Sequence, residues 1–104
     1  MPTESFPQLI AGLPPYEGRF EAFQLNAERC TVLFASYPAG TRIEEHRHET
    51  RNCGVITRGE LILTTAAGER RFGVGDWYEL EPNEAHAARF DVETAEIEFW
   101  FEPG

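Results

Sequence analysis

The sequence predicts an all-β domain, a sandwich or small barrel of antiparallel strands, and three observations predict it. Short runs rich in β-branched and aromatic residues follow one another from residue 20 onward. Turn signals such as Pro38-Ala39-Gly40 and Gly75-Asp76 separate these runs. No segment keeps a helical period long enough to compete with the strand interpretation. About nine strands at this pitch are typical of a sandwich or barrel.

The first 19 residues differ from the rest of the chain because they are rich in prolines and glycines. Such residues interrupt regular structure, so we expect an extended arm with one turn of helix near Phe6–Ile10. Residues 20–104 then form the barrel domain. Its predicted strands are Phe20–Leu25, Cys30–Tyr37, Arg42–His48, Cys53–Arg58, Leu61–Thr65, Arg70–Val74, Trp77–Leu80, Ala85–Phe90 and Ala95–Glu102.

The last predicted strand has the clearest alternation. Alternate positions are apolar (Ala95, Ile97, Phe99, Phe101), and those between them are mostly acidic (Glu96, Glu98, Trp100, Glu102). This pattern predicts one buried face and one solvated face, with Trp100 as the exception on the solvated side. A partner subunit would cover Trp100 and the apolar residues of the arm, so we expect a homodimer.

Composition excludes several classes of partner and location. The 104 residues suffice for one domain, and 18 acidic against 9 basic side chains give a net charge of −9. Nucleic acids and anionic membranes both need a positive protein surface, so neither is expected as a partner. The N-terminus lacks the basic and apolar regions of a signal peptide, and no apolar stretch approaches the ~20 residues that span a bilayer. Two cysteines are too few for a disulfide framework, which predicts a cytoplasmic protein.

The histidines are concentrated in two short stretches. His46 and His48 lie in GTRIEEHRHETRNCGVITRG (residues 40–59), and His86, the third and last, lies in EPNEAH. On a strand, residues two apart share a face, so His46 and His48 can converge on one point. Imidazole is the commonest metal ligand, and two at this spacing need only one more partner to hold an ion. The sequence therefore predicts a metal site.

The order of these residues resembles the two motifs of the cupin superfamily. In the first motif Gly40 precedes His46 and His48, Asn52 stands in the glutamate position, and Gly59 closes the motif. In the second, Gly75 and His86 match, whereas Glu81, Asn83 and Phe90 replace the usual proline, glycine and asparagine. The linker between the motifs is Glu60 to Val74, and the resemblance covers roughly residues 33–101.

The resemblance implies an antiparallel double-stranded β-helix, the jelly-roll barrel, with ligands at its mouth. It implies that His46, His48 and His86 bind a divalent transition metal (Zn, Fe, Ni, Cu or Mn), with Asn52 either a fourth ligand or a hydrogen-bonding neighbour. Two functions stay open. One is a metalloenzyme of dioxygenase, isomerase or lyase type acting on a small organic molecule, anionic ones included; the other is a non-catalytic ligand-binding or sensor protein with a vestigial site.

Strand parity yields further expectations around this site. Cys53 should face away from the lumen, while Gly54 and Ile56 face into it and Gly54 leaves room near the metal. Glu44 shares the parity of His46, so its carboxylate is expected to orient an imidazole. Arg42 also has lumen parity and is expected to hold an anionic ligand. The aromatic residues Tyr78, Phe90, Phe99 and Phe101 are expected in the core.

Overall fold

The computed structural model describes residues 6–103. No helix within this range is long and apolar enough to cross a membrane. The described residues form a short helix, α1 (Gln8–Ala11), and the strands β1 (Glu21–Ala27), β2 (Cys30–Tyr37), β3 (Thr41–His46), β4 (Arg51–Arg58), β5 (Glu60–Thr65), β6 (Gly68–Gly73), β7 (Trp77–Leu80), β8 (His86–Phe90) and β9 (Thr94–Phe101).

The strands form two sheets, one of five strands in the order β1-β2-β9-β4-β7 and one of four in the order β3-β8-β5-β6. All the strand pairs are antiparallel. The expected antiparallel jelly-roll barrel is therefore confirmed. A core of buried side chains fills part of the space between the sheets, with Leu33 and Ile56 from the five-stranded sheet and Leu61, Phe72 and Phe90 from the four-stranded sheet.

The faces of β9 are the reverse of those that its polarity predicts. Trp100 lies opposite Thr31 on β2 and Asn52 on β4, and Glu98 lies opposite Leu33 and Gly54. Residues paired across a sheet share a face, so Glu96, Glu98 and Trp100 point between the sheets. Glu96 is only 1% exposed and Glu98 only 6%. The prediction of a solvated face here is wrong.

The apolar positions of β9 consequently lie on the outer face of the five-stranded sheet. Phe99 is partly exposed, where it stacks on Trp77, and Phe101 is 42% exposed. Phe99 and Phe101 are therefore not core residues, whereas Tyr78 and Phe90 are buried in the core as expected. Trp100 needs no partner subunit to cover it, because it lies inside the barrel.

An irregularity in β3 explains two further errors of parity. The register of β3 with β8 shifts between Ile43, which pairs with Ala88, and His46, which pairs with His86. Because three positions rather than an even number separate these inward residues, simple alternation fails between them. Arg42 consequently lines a groove on the outside of the four-stranded sheet, with Glu44 beside it, and not the lumen.

The described part of the N-terminal arm, residues 6–19, packs on the barrel; its first five residues lie outside the described range. The amide of Gln24 donates to Pro14 O at 2.8 Å, and the amide of Tyr16 donates to Ala22 O at 2.9 Å. The ring of Phe6 packs edge-on against Phe34, whereas Leu9 is 86% exposed. The predicted turn of helix is present but lies two residues later, at Gln8–Ala11. The division of the chain at residue 20 stays a prediction.

Gly59, which closes the first motif, is a position where a side chain is excluded. Its φ is +78°, and a Cβ there would lie 2.3 Å from Glu93 O and 2.6 Å from Thr94 Oγ1. We expect Gly59→Ala to lower the free energy of unfolding by about 1–3 kcal/mol, because it adds both backbone strain and a clash with backbone.

Urea denaturation measures this loss, and Gly40→Ala is the matched control. Gly40 has a similar φ of +88° but nothing within 4 Å of its Cβ position. Its substitution adds strain without a clash, so it should cost less. Equal losses in the two variants would contradict the steric argument.

Candidate metal centre

The three histidines meet at one end of the barrel. His46 is the last residue of β3 and His86 the first of β8, and the two are direct neighbours in register. His48 was predicted as the end of the strand Arg42–His48, but it lies just beyond β3 in the loop that leads to β4. Its carbonyl accepts a hydrogen bond from the amide of Asn83 at 2.6 Å, which ties the His48 loop to the turn that precedes His86.

The imidazole rings face one another closely. The ring centroids are 4.3 Å apart for His46 and His86, 4.6 Å for His46 and His48, and 5.1 Å for His48 and His86. One nitrogen from each ring can be chosen so that all three lie within 4.8 Å of one another. This arrangement brings together the histidines predicted from sequence.

Backbone carbonyls fix the orientation of two of the rings. Nδ1 of His46 donates to Glu44 O at 2.8 Å, and Nδ1 of His86 donates to Glu84 O at 2.9 Å. In a neutral imidazole a proton on Nδ1 leaves Nε2 with a free lone pair, which is the state that a metal requires. Glu44 does orient the ring of His46, as expected. It does so through its backbone carbonyl and not through its carboxylate.

The spacing of the nitrogens fits a divalent ion. Nε2 of His46 lies 2.9 Å from Nε2 of His48. Two nitrogens each about 2.05 Å from one ion and at a right angle to each other are about 2.9 Å apart. Two lone pairs at this distance repel unless a cation or a proton lies between them. The donor set is therefore suited to a metal, and a single shared proton is the alternative occupant.

The electrostatics of the cluster keep two of the rings neutral. Burial, the neighbouring His46 and His86, and Arg19 lower the pKa of His48 to about 4. Burial is also the main reason that the pKa of His86 is lowered, with His46 contributing. Neutral imidazole binds a metal and imidazolium does not, so these shifts favour metal binding at neutral pH.

Asn52 lies in the same cavity as the histidines. It is 5% exposed, lies opposite Trp100 and Leu80 in the five-stranded sheet, and accepts a hydrogen bond from Thr50 Oγ1 at its Oδ1 atom, at 2.6 Å. Alternation places Cys53 on the other face of β4, as expected, and Cys53 does not line the cavity. Gly54 does face inward, but its free space is occupied by the ring of Tyr78, not by a metal.

The histidines open onto a cavity of about 270 Å³ between the two sheets. One part of its wall is apolar, with side chains such as Leu61, Leu63 and Phe90. Basic residues from the arm and the first motif, Arg19 and Arg47, also line it. The remaining polar wall consists of residues that the sequence analysis did not place in the site, namely Tyr16, Tyr37, Tyr78, Glu96 and Glu98.

The two glutamates are held by aromatic donors. Tyr37 Oη and Trp100 Nε1 donate to the two oxygens of Glu98, the indole at 3.0 Å, and Tyr78 Oη donates to Oε1 of Glu96. Burial, followed by the charge of Glu98, raises the pKa of Glu96 well above its ordinary value. Burial and the same carboxyl groups also raise the pKa values of Tyr37 and Tyr78.

Sequence reasoning missed these glutamates because acidic residues at alternate positions usually indicate a solvated face. Asn52 has lumen parity, and Trp100 pairs with Asn52, so the register of β9 against β4 settles which face is inside. That register is a long-range property that the alternation within β9 does not reveal.

Solved structures with the same fold have little sequence in common with this chain. An RmlC-like cupin from Shewanella frigidimarina NCIMB 400 superposes with a TM-score of 0.77 at 14% identity, over 86% of this chain and 84% of that one. KdgF from Halomonas sp. gives 0.74 at 14% identity, over 86% of each chain. Ectoine synthase from P. lautus gives 0.73 at 14% identity, over 86% of this chain and 70% of that one. No curated protein has a matching sequence.

The fold and the cluster together define a small antiparallel β-barrel protein with three histidines beside an internal cavity. The family model of the cupin domain matches residues 33–100 of the sequence. The chain therefore belongs to the cupin family, as its two motifs indicated.

The lowered pKa of His48 predicts a dependence of stability on pH. An unfolded histidine binds a proton as the pH falls through ~6.5, whereas folded His48 stays neutral down to about pH 4. The unfolded state thus binds more protons in this interval, so the contribution of His48 to stability is complete above pH 6.5 and is lost as the pH falls towards 4. Urea denaturation of the metal-free protein at pH 7 and pH 5 measures it.

A His48→Gln variant serves as the reference, since it keeps a polar side chain that does not titrate. The difference in unfolding free energy between pH 7 and pH 5 should be smaller in the variant than in the wild type. Comparing the two proteins cancels the contribution of Glu96, which has the opposite sign. An unchanged difference would contradict the lowered pKa.

Proposed function

We propose that the protein binds one divalent transition-metal ion through His46, His48 and His86, with Asn52 beside it. The observation that carries this proposal is the convergence of the three imidazoles, with ligand nitrogens within 4.8 Å of one another. The backbone hydrogen bonds of His46 and His86 support it, because they leave the Nε2 atoms as acceptors. Imidazole ligands suit Zn, Fe, Ni and Cu, and they suit Mn less well.

The function we propose is a metalloenzyme that acts on a small anionic organic molecule. A bound ion would act as a Lewis acid or as a site for O₂, which covers isomerase, lyase and dioxygenase chemistry. Neutral ligands leave the charge of the ion uncompensated, and Arg19 and Arg47 add positive charge to the cavity wall. These charges favour an anionic group at the histidine end. The volume of about 270 Å³ limits the ligand to a small molecule.

A second candidate is a non-catalytic protein that binds a small ligand or serves as a sensor, with a vestigial metal site. The 2.9 Å contact between Nε2 of His46 and Nε2 of His48 favours it, because a single proton on His48 would satisfy both nitrogens without a metal. Elemental analysis of protein purified without a polyhistidine tag separates the two. Stoichiometric metal supports the enzyme, and metal-free folded protein supports the sensor.

Substitution of the ligands tests the metal site by isothermal titration. His86→Ala should weaken binding of a divalent ion by more than ~100-fold, since it removes a ligand and not merely a neighbouring group. Asn52→Glu should tighten Mn²⁺ or Fe²⁺ by about tenfold or more, because an anionic oxygen replaces a neutral amide.

Glu79→Gln is the control for both variants, since Glu79 lies on the outer face of β7 and is exposed. Its affinity for metal should equal that of the wild type. Unchanged affinity in His86→Ala would exclude the three-histidine site. No gain in Asn52→Glu would place residue 52 outside the ligand set while leaving the histidines in place.

We also propose a homodimer, formed through the outer face of the five-stranded sheet. The middle of this face, on β2, β9 and β4, carries uncharged side chains: Val32, Phe34, Cys53, Val55, Ile97 and Phe99. Trp77 and Phe101 on the same face are 59% and 42% exposed. The charged groups at its edge are paired, since Arg51 contacts Glu79 at 3.2 Å and Glu81 at 2.9 Å. A second copy of an acidic chain can therefore approach here without the repulsion that its net charge of −9 causes elsewhere.

Sedimentation of two variants tests the dimer. The wild type should sediment as a dimer, and Phe101→Glu should sediment as a monomer because it places a charge on the apolar face. Val92→Glu changes a residue that is 50% exposed in the turn before β9, and it should leave the dimer intact. A monomeric wild type would exclude the proposal.

A cytoplasmic location is part of the same proposal. Cys30 and Cys53 are both free thiols, which is the state that a reducing compartment maintains. Burial raises the pKa of both thiols, so they are poor nucleophiles.

A further inference from the structure

A second cluster of titratable groups lines the cavity away from the histidines. Glu96 and Glu98 are two positions apart on the inward face of β9, and both are almost completely buried. Two carboxylates so close in a region of low dielectric cannot both stay ionised at neutral pH without a cation beside them. Two carboxyl groups in such an arrangement share one proton, and in enzymes they act as an acid and a base.

The hydrogen bonds show which oxygen carries the proton. Tyr78 donates to Oε1 of Glu96, so Oε1 is an acceptor. Oε2 of Glu96 is buried and accepts no hydrogen bond from a donor among residues 6–103. A buried ionised oxygen without a donor is costly, whereas a protonated oxygen is itself a donor. Oε2 is therefore the oxygen that carries the proton, and the carboxyl group of Glu98 is its acceptor.

Glu98 is the nearer of the two glutamates to the histidines. The Trp100 ring lies 4.7 Å from the His48 ring, centroid to centroid, and its Nε1 donates to Oε1 of Glu98 at 3.0 Å. A single indole ring thus separates Glu98 from the histidine end. A molecule of a few carbon atoms that lies along this ring would contact both.

The titratable groups that line the cavity beside the pair come from the five-stranded sheet and from the arm. β2 contributes Tyr37, β7 contributes Tyr78, and the arm contributes Tyr16 and Arg19, all lining the same cavity. Arg19 is exposed and lies near enough to His48 to lower its pKa. No cation among the described residues forms an ion pair with Glu96 or Glu98. No basic side chain in this part of the chain therefore neutralises the pair, and burial favours the protonated form of Glu96.

We propose that Glu96 and Glu98 form a proton-transfer site for a ligand held between them and the histidines, and that this ligand is a small 2-oxo acid. The positive end at the histidines and Arg19 fits the carboxylate and the carbonyl oxygen. The apolar wall of Leu61 and Leu63 fits a short hydrocarbon chain, and the glutamates face the hydrogens next to the carbonyl. This inference rests on the proposed function, whose anion-binding end it uses.

The proposed step is a reversible shift of one proton. A C–H bond at carbon 3 of the 2-oxo acid breaks, its electron pair forms the double bond of the enolate, and Glu98 takes the proton on a carboxylate oxygen. Return of a proton from the Glu96–Glu98 pair to carbon 3 restores the keto form. No electrons are gained or lost, so no oxidant or reductant is needed. The negative charge of the enolate forms at the positive end of the cavity, where it is stabilised.

Infrared spectroscopy of the metal-free protein tests the shared proton without any ligand. A protonated carboxyl group absorbs at a higher frequency than a carboxylate. The wild type at pH 7 should show this band, and Glu96→Gln should lack it. Glu79→Gln removes an exposed carboxylate and should keep the band. Its absence from the wild type would overturn the proposal, while metal titration of the same sample reports on the histidine site independently.

Deuterium exchange tests the transfer itself. The metal-loaded protein is incubated with 2-oxobutanoate in heavy water, and proton NMR follows the loss of the hydrogens on carbon 3. We expect exchange faster than with the same metal in buffer, and Glu98→Gln should slow it by ~100-fold or more. Glu96→Asp keeps a carboxyl group but shortens the side chain by one methylene. It should therefore retain the infrared band of a protonated carboxyl group and lose deuterium exchange at carbon 3. Glu79→Gln should exchange as the wild type does.

The outcomes separate the two proposals. Wild-type exchange no faster than with free metal, or equal exchange in Glu98→Gln, would overturn the proton-transfer site even where metal affinity is normal. Loss of metal binding with the infrared band intact would instead overturn the proposed metal site. Should Glu98→Gln fail to fold, Glu96→Asp and Glu96→Gln carry the same comparison.

Discussion

The pairing of β9 with both β2 and β4 is the constraint on which the rest of the structure depends. It joins β1 and β2 to β4 and β7 in the five-stranded sheet and places Trp100, Glu98 and Glu96 on the inward face. Burying two carboxyl groups is costly unless they are neutralised or hydrogen-bonded. The donors come from the same sheet: Tyr37 from β2, which pairs with β9, and Tyr78 from β7, which lies beyond β4. The strand pairing that joins this sheet therefore also determines the polar lining of the cavity.

The features that the sequence predicted are those fixed by local spacing. His46 and His48 are two residues apart, and His86 follows a tight turn, so their positions depend on short stretches of chain. The strands are recognisable because turns separate them, and all of their predicted boundaries are correct within two residues. Short-range sequence features were therefore enough to predict the fold class and the histidine cluster. His48 lies in a loop, however, and not on a strand as predicted.

The features that the sequence did not predict depend on contacts between distant strands. Alternation within β9 shows that two faces differ, but only the register against β4 shows which one is inside. Likewise, parity counted back from His46 fails at Arg42 because β3 changes register in between. The polarity of β9 also misled the prediction, because acidic residues usually face solvent and its acidic face was therefore assigned there. A cavity that binds polar ligands is the place where this rule fails, because its wall must itself be polar.

Asn52 stands where the first motif has a glutamate, and this difference has to be considered together with Glu96 and Glu98. The cavity has not lost carboxyl groups; they lie on the inward face of β9, separated from the histidines by the indole of Trp100. A carboxylate at residue 52 would neutralise part of the charge of a bound ion, whereas an amide preserves it. In the proposed arrangement the positive end and the proton-holding end therefore remain distinct. In a small cavity of low dielectric, that separation would orient a ligand with one anionic and one apolar end, because the reversed orientation would place its charge against the carboxyl pair.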